Sequence, residues 1–89
     1  MLESAIQKKI INYLEKQGYT VVNLIKTNKS WIPDLIATKD WKCLWIEVKR
    51  PGGVLSKLQE YRIKKLRENW DKVLVNYWYE EFILQYNQL

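Results

Sequence analysis

Histidine is absent from this 89-residue sequence, and cysteine occurs once, as Cys43. The absence of histidine excludes Ser-His triads, general acid–base catalysis by imidazole and histidine-containing zinc fingers. A single cysteine excludes an internal disulfide, and its apolar surroundings favour a buried small side chain in a reducing compartment. No repeat, low-complexity tract or linker divides the sequence, so we expect one domain over residues 1–89.

No hydrophobic run reaches the length of a membrane span, and the N-terminal segment mixes acidic and basic residues, unlike a signal peptide. We therefore expect a cytoplasmic protein with no membrane partner. The formal net charge is +5, from 15 Lys and Arg against 10 Asp and Glu. This excess favours a polyanionic partner such as DNA, because phosphate binding releases condensed counterions. A soluble protein that is merely basic is the alternative.

The hydrophobic pattern divides the chain into elements in the order α-β-β-β-α-β-β, which predicts an α/β (α+β) fold with a mixed sheet flanked by helices. The first helix has apolar residues at helical spacing and ends at Gly18. The second helix is expected over 56–69. Strands are expected over 19–26, 34–38, 42–49, 72–79 and 81–86. The second and third strands would form an antiparallel hairpin, and the third and fourth a right-handed crossover.

Three charged residues, Asp34, Glu47 and Lys49, interrupt apolar strand segments. Glu47 and Lys49 share one face of a strand, and antiparallel pairing would place Asp34 beside Glu47. Neighbouring carboxylates repel unless a proton or cation lies between them, and Mg²⁺ prefers such oxygen ligands. A lysine beside the ion would offset charge on a phosphate under attack. The alternative is an exposed Glu47–Lys49 ion pair on a solvated face.

Two polar residues lie on the apolar stripes of the helices, Glu3 in the first helix and Gln59 in the second. Buried polar groups need partners, and a metal site or its surroundings would supply them. The alternatives are local to each helix. Glu3 would interact favourably with the helix dipole, and Gln59 would form a capping box with Ser56.

The motif residues resemble the PD-(D/E)XK nuclease signature, which here consists of Pro33, Asp34, Glu47, Val48 and Lys49. More closely, nearly the whole chain resembles the short stand-alone form of the virus-type replication-repair nuclease (VRR-NUC) family. The matching parts are Glu3, Gln7, "IPDLIA" (32–37), "IEVKRPGGVLSKLQ" (46–59) and the order of elements around them. One departure is Trp31, which stands where the family usually has a glycine.

This resemblance implies a restriction-endonuclease-like fold and an enzyme that hydrolyses DNA phosphodiester bonds with Mg²⁺ or Mn²⁺. The catalytic residues that it implies are Asp34, Glu47, Lys49, Glu3 and Gln59. The metal ligands that it implies are Asp34, Glu47, the Val48 main-chain carbonyl, and Glu3 either directly or through water.

The basic residues around these motifs predict a DNA-binding surface. It would consist of Lys26, Lys29, Arg50, Lys57 and Arg62. Trp31 would stack on a base or wedge a junction, or else pack against the sheet. The remaining basic residues of the second helix, Lys64, Lys65 and Arg67, are expected on a solvated face.

Small stand-alone relatives imply a homodimer that resolves four-way DNA junctions in phage replication or repair, in which case the host cytoplasm is its location. A two-fold dimer suits such a junction because the scissile phosphates come in symmetric pairs. Aromatic residues from Trp70 to Tyr86 would form the interface. The alternatives are a non-catalytic DNA-binding module and a protein-interaction module that uses the aromatic C-terminal strands.

Overall fold

The computed structural model describes residues 3–24, 32–69 and 72–89. In chain order, its elements are α1 Glu3–Lys16, β1 Thr20–Asn23, β2 Leu35–Lys39, β3 Lys42–Val48, α2 Lys57–Glu68, β4 Lys72–Asn76 and α3 Tyr79–Asn87. The strands form one sheet in the order β1-β2-β3-β4. The β1–β2 and β2–β3 pairs are antiparallel and the β3–β4 pair is parallel. The predicted α+β class with a mixed sheet is therefore confirmed.

The main core lies between the sheet and the two terminal helices, α1 and α3. Its buried residues are Ile6, Ile10, Leu14, Leu35, Ala37, Leu44, Ile46, Val48, Leu74 and Phe82. Burying one such aliphatic side chain contributes about 1.5–3 kcal/mol. The buried residues Ile63 and Val73 lie outside this cluster, in elements α2 and β4, which also pack together. Among the described residues, no helix is long and apolar enough to cross a membrane.

The last element is a helix, so the strand predicted over 81–86 is wrong. The residues of this helix that pack into or against the core recur at helical spacing: Tyr79, Phe82, Ile83 and Tyr86. Glu81, in its first turn, accepts a hydrogen bond from the Tyr77 main-chain N–H at 2.7 Å. Aromatic and branched side chains favoured a strand, but the spacing of the buried positions is that of a helix.

The aromatic residues of α3 point into the molecule. Tyr13 of α1 makes edge contacts with Tyr79, Phe82 and Tyr86, with ring centroids 6.4, 5.9 and 5.4 Å apart. These three residues are therefore occupied within the chain, although they were predicted at a subunit interface. A protein-interaction module built on aromatic C-terminal strands also loses its basis, because the second of those strands is a helix. Trp70, the first residue of the predicted interface, lies outside the described residues.

The predicted β2–β3 hairpin is confirmed, and its turn is unusual. Lys39 and Lys42 form the last pair, so Asp40 and Trp41 are the two turn residues. Their φ angles are 49° and 67°, both in the left-handed region that a type I′ turn requires. Such turns favour Asn-Gly or Asp-Gly, and a residue with a large side chain is disfavoured there by about 1–2 kcal/mol. Trp41 stands where glycine is expected.

Helix α2 begins with a capping box, which was one of the two predicted roles of Gln59. Ser56 Oγ accepts a hydrogen bond from the Gln59 main-chain N–H at 3.1 Å, and Gln59 Oε1 accepts one from the Ser56 N–H at 2.9 Å. Both orphan N–H groups at the helix start are thereby satisfied. The predicted helix boundaries, 56 and 69, are the observed N-cap and C-cap.

The C-terminal end of α2 is tied to the sheet through Arg67. Its Nη2 donates a hydrogen bond to the Val73 carbonyl at 2.8 Å. Arg67 is nevertheless exposed, as predicted for the solvated face of this helix. Lys65 is also exposed, and it forms an ion pair with Glu68 at 3.4 Å.

We expect Ser56→Ala to lower the free energy of unfolding by about 1 kcal/mol, because the Gln59 N–H loses its acceptor. Gln59→Ala should also destabilise the protein. Since the two side chains form one reciprocal motif, the double variant should lose less than the sum of the single losses. Urea denaturation of the four proteins measures this, and strictly additive losses would contradict a capping role for Gln59.

Candidate active site

The antiparallel pairing of β2 and β3 brings Asp34 beside Glu47, as predicted. Leu35 pairs with Ile46, and one further step along the same register sets Asp34 opposite Glu47. Hydrogen bonds hold both the side chain and the main chain of Asp34. Its Oδ2 accepts a hydrogen bond from the Val48 N–H at 2.9 Å, and its main-chain carbonyl accepts one from the Leu24 N–H at 2.8 Å.

Glu47 is a buried carboxylate next to a lysine. Its side chain is 5% exposed, and its Oε2 lies 3.7 Å from Lys49 Nζ, on a lysine side chain that is 18% exposed. The alternative of an exposed ion pair on a solvated face is therefore wrong. Burial of a carboxylate is unfavourable unless partners offset its lost hydration, so Glu47 beside Lys49 points to a binding or catalytic role.

The carboxylates at this site resist ionisation. Burial raises the pKa of Glu47 to about 7, with the negative charge of Asp34 adding to the rise and Lys49 opposing it. Burial also raises the pKa of Asp34, although the Val48 N–H bond offsets part of that rise. Near neutral pH, the pair is therefore poised to lose a proton to a competing positive charge. Perturbed carboxylates of this kind mark candidate functional sites.

Glu3 lies at the rim of the site. It is exposed, and its Oε1 accepts a hydrogen bond from the Arg50 N–H at 3.2 Å. The prediction that Glu3 is an inward, buried group is wrong, because α1 enters the core one turn later, at Ile6. Its charge nevertheless raises the pKa values of Asp34 and Glu47, so all three acidic groups interact.

The segment after β3 forms a turn that borders the site. Arg50 and Gly53 are joined by a 2.8 Å main-chain hydrogen bond, with Pro51 and Gly52 between them. Gly52 has φ 84°, which matches a type II turn with proline then glycine at its centre. Beside this turn lies an open groove of about 570 Å³, lined by Glu3, Ser4, Lys49, Arg50, Gly53 and Val54. The sequence analysis missed Ser4, Gly53 and Val54, although the glycine pair marked the turn.

A buried amide pair supports the main chain of Lys49. The Lys49 N–H donates to the Asn76 carbonyl at 2.8 Å, and the fully buried Asn76 donates from Nδ2 to Gln85 Oε1 at 2.7 Å. Gln85 in turn donates to the Val75 carbonyl at 3.3 Å. The end of β4 and helix α3 thus hold the strand end that carries Lys49. Asn76 was not predicted as a supporting residue, because the sequence shows it only as a polar residue at the end of an apolar run.

The other predicted site residues are placed less centrally. Gln59 uses its Oε1 atom in the capping box, which leaves its Nε2 group outside that motif. Gln7, part of the family resemblance, accepts a bond from Asn23 Nδ2 at 3.4 Å instead of joining the carboxylates. Among the described residues, no group of three or more acidic or thiol side chains is arranged to hold a metal ion. The candidate donor set is therefore Asp34 and Glu47, with Glu3 outside their immediate cluster.

The predicted DNA-binding residues are described only in part. Arg50 lines the groove, and Lys57 is exposed at the first position of α2. The Arg62 guanidinium lies 5.4 Å from the centre of the Tyr61 ring, on a partly buried side chain. Lys26, Lys29 and Trp31 lie outside the residues that the structure describes.

Solved structures share the fold of this chain. A VRR_NUC domain matches with a TM-score of 0.79 at 22% identity, over 89% of this chain and 87% of its own. Hjc, a Holliday junction resolvase from the archaeal hyperthermophile Archaeoglobus fulgidus, matches with a TM-score of 0.60 at 22% identity, over 81% of this chain and 64% of its own. The chain thus shares the fold of a VRR_NUC domain and of Hjc, in agreement with the fold that the sequence motifs predicted.

The sequence itself identifies the family. The family model of the archaeal Holliday junction resolvases (Hjc) matches residues 3–74. The chain therefore belongs to the Hjc family of nucleases. A search of curated proteins finds no match. The matched range includes Glu3, Asp34, Glu47 and Lys49, which are the charged residues that the structure brings to one end of the sheet.

The raised pKa of Glu47 makes stability depend on pH in a defined direction. From about pH 4.5 to about pH 7, the unfolded chain ionises this group while the folded chain keeps it protonated. The folded state then binds more protons, so its stability falls as pH rises through this range, by roughly 1–3 kcal/mol after allowing for solvent screening. The loss is complete above pH 7.

Thermal denaturation in EDTA across this pH range measures the effect. The absence of histidine leaves few other side chains that titrate in its upper part. Glu47→Gln should flatten the profile and be more stable than the parent above pH 7. The matched control is Glu60→Gln, at an exposed position of α2, which should keep the parent's profile. A parent profile that does not fall would contradict burial of an ionisable Glu47.

Proposed function

We propose that this protein is a metal-dependent endonuclease that hydrolyses DNA phosphodiester bonds at four-way junctions. The observation that carries the proposal is the Asp34–Glu47–Lys49 cluster, in which Glu47 is buried and the other two residues are partly buried, in a chain of the Hjc family. A module that only binds DNA does not need two interacting carboxylates, one of them buried, beside a lysine. A hydrolase does need such a cluster, because its reaction develops negative charge at the phosphate.

The donor atoms fit a hard divalent cation such as Mg²⁺ or Mn²⁺. Mg²⁺ is usually bound by only one or two carboxylates and keeps several waters, which agrees with a site built on Asp34 and Glu47. The Val48 carbonyl would add a third oxygen, and Glu3 would act through water. Burial raises the pKa values of Asp34 and Glu47, and the negative charge of neighbouring carboxylates adds to the rise; a bound cation would favour the ionised forms. When bound, the cation supplies Lewis-acid activation of water and of the phosphate.

The residues of the chain have separable roles in this proposal. Asp34 fixes the strand register through the Val48 N–H and keeps its carboxylate beside Glu47. Lys49 places an ammonium group close to Glu47, where it offsets charge on the attacked phosphate. Glu3 holds the Arg50 N–H and so orients the turn that borders the groove. Gln59 supports the site indirectly, because it caps the N-terminal end of α2.

DNA would approach along the groove beside the Arg50–Gly53 turn. Arg50 and Lys49 line it, and Lys57 is exposed at the start of α2. Together with Arg62 and a net charge of +5, these residues provide the phosphate contacts that hold a duplex arm. We include Lys26, Lys29 and Trp31 in the same proposed surface only because the sequence predicts them there.

The protein would act as a homodimer. A four-way junction presents two symmetric scissile phosphates, and a two-fold pair of sites matches that symmetry. With Tyr79, Phe82 and Tyr86 occupied inside the chain, the C-terminal residues that remain for an interface are Trp78, 48% exposed, and Leu84, 66% exposed. Both are large apolar side chains on or beside α3, and covering exposed apolar surface favours association.

Cleavage of branched and linear DNA tests the enzyme proposal. The parent should cut with Mg²⁺ or Mn²⁺ and should not cut in EDTA. Lys49→Ala and Glu47→Gln should each reduce the cleavage rate by on the order of a hundredfold or more, because each removes a group at the attacked phosphate. Both variants should still bind the junction in EDTA by gel shift.

Lys64→Ala is the matched control, since it removes an exposed lysine outside the site and should cut at the parent's rate. If Lys49→Ala and Glu47→Gln cut as fast as the parent, the site assignment is wrong. If the parent binds junction DNA but cuts nothing with either metal, the protein is a non-catalytic DNA-binding module.

Light scattering coupled to size-exclusion chromatography tests the dimer. The parent should elute with twice the mass of one chain. Leu84→Lys should give the mass of one chain, because it places a charge in the proposed apolar interface. Val22→Lys, at an exposed position of β1, should remain dimeric. A parent with the mass of a single chain would refute the dimer.

A further inference from the structure

The end of the sheet opposite the carboxylates carries an exposed tryptophan. Trp41 is fully exposed at the tip of the β2–β3 hairpin, in a left-handed conformation that its side chain disfavours. Glycine would make the same turn without this strain, and it would expose no apolar ring. The fold therefore gains nothing from this residue, and an unfavourable residue kept at an exposed tip points to binding.

Trp41 stands at the edge of a cleft of about 650 Å³, a volume within the range of ligand sites. Its walls combine aromatic and cationic side chains. Tyr19 and Tyr86 contribute rings, and Lys42 and Lys72 contribute ammonium groups. Among the described residues that line this cleft, none is Asp or Glu. A second, more open cleft lies along the same hairpin and is also lined by Trp41 and Lys42.

We infer that this cleft binds an unpaired segment of DNA, with bases stacked on Trp41 and phosphates held by Lys42 and Lys72. Aromatic faces accept any unpaired base, and lysines beside them track the backbone. A duplex arm would engage the lysines only, because its bases are already stacked on one another. An exposed aromatic ring together with two lysine ammonium groups thus favours single-stranded DNA over duplex.

This inference rests on the proposed function and adds a second DNA contact to it. Glu47 lies six residues after Trp41 along the chain, which is about 20 Å at the rise of a β-strand. About six base pairs of B-DNA cover the same distance. A branched substrate held at the carboxylates could therefore present an unpaired segment to the hairpin. The Trp41 cleft would then select substrates that contain single strands near the branch.

Fluorescence anisotropy with a labelled oligothymidine, measured in EDTA, tests the site without cleavage. Trp41→Gly should weaken binding about tenfold, the effect of losing one stacked base. Trp41→Phe keeps a ring and should stay close to the parent. Replacing both Lys42 and Lys72 by Gln should weaken binding and reduce its dependence on salt. Lys64→Gln, away from the cleft on α2, should have a smaller effect on both measurements.

Thermal stability separates binding from a structural role. Trp41→Gly should melt at or above the temperature of the parent, because glycine accepts the left-handed turn. A variant that loses affinity while keeping its stability supports the inference. A variant that binds oligothymidine as tightly as the parent overturns it. If Trp41→Gly instead changes the mass by light scattering, the hairpin contacts a second copy, and the inference is also overturned.

The outcomes distinguish this inference from the proposed function. A parent that cuts junctions but does not bind oligothymidine refutes the Trp41 site and leaves the nuclease in place. A parent that binds oligothymidine through Trp41 but cuts no DNA refutes the nuclease and leaves the binding site in place.

Discussion

The hydrogen bond from the Val48 N–H to Asp34 fixes the geometry on which the site depends. It holds the residue before β2 against the end of β3, and so keeps the Asp34 carboxylate on the side of the sheet end where Glu47 lies. Burial then raises both pKa values. The scaffold keeps an electrostatically unfavourable arrangement in place, and a cation with a nearby ammonium group can make that arrangement favourable.

Side chains along β3 alternate between the two faces of the sheet, so one strand contributes residues to both the core and the site. Leu44, Ile46 and Val48 enter the core, whereas Glu47 lies on the opposite face, and Lys49 follows the strand end on the Glu47 side. Asn76 supports the strand end from the neighbouring strand β4, and Gln85 supports Asn76 from α3. The position of Lys49 therefore depends on elements that are far from it in the sequence.

The sequence allowed the charged cluster to be predicted because its causes are local. Period-two alternation and a short hairpin suffice to bring Asp34 to Glu47, and the Ser56–Gln59 spacing suffices for a capping box. The final helix was missed because its aromatic composition resembled a strand. The roles of Asn76 and Arg67 depend on tertiary partners, Gln85 and Val73, which no pattern along the chain reveals. The burial of Glu3 was overestimated because a helical wheel does not show where the helix leaves the core.

Helix α3 lies beyond the part of the chain that the family model matches, which ends at residue 74. It nevertheless contributes Phe82 to the core and the partner amide of Asn76. A domain boundary drawn from the family match would remove both and would uncover the inner side of α1, the helix that begins with Glu3. In this protein, a helix outside the matched range thus supports the strand end that carries Lys49.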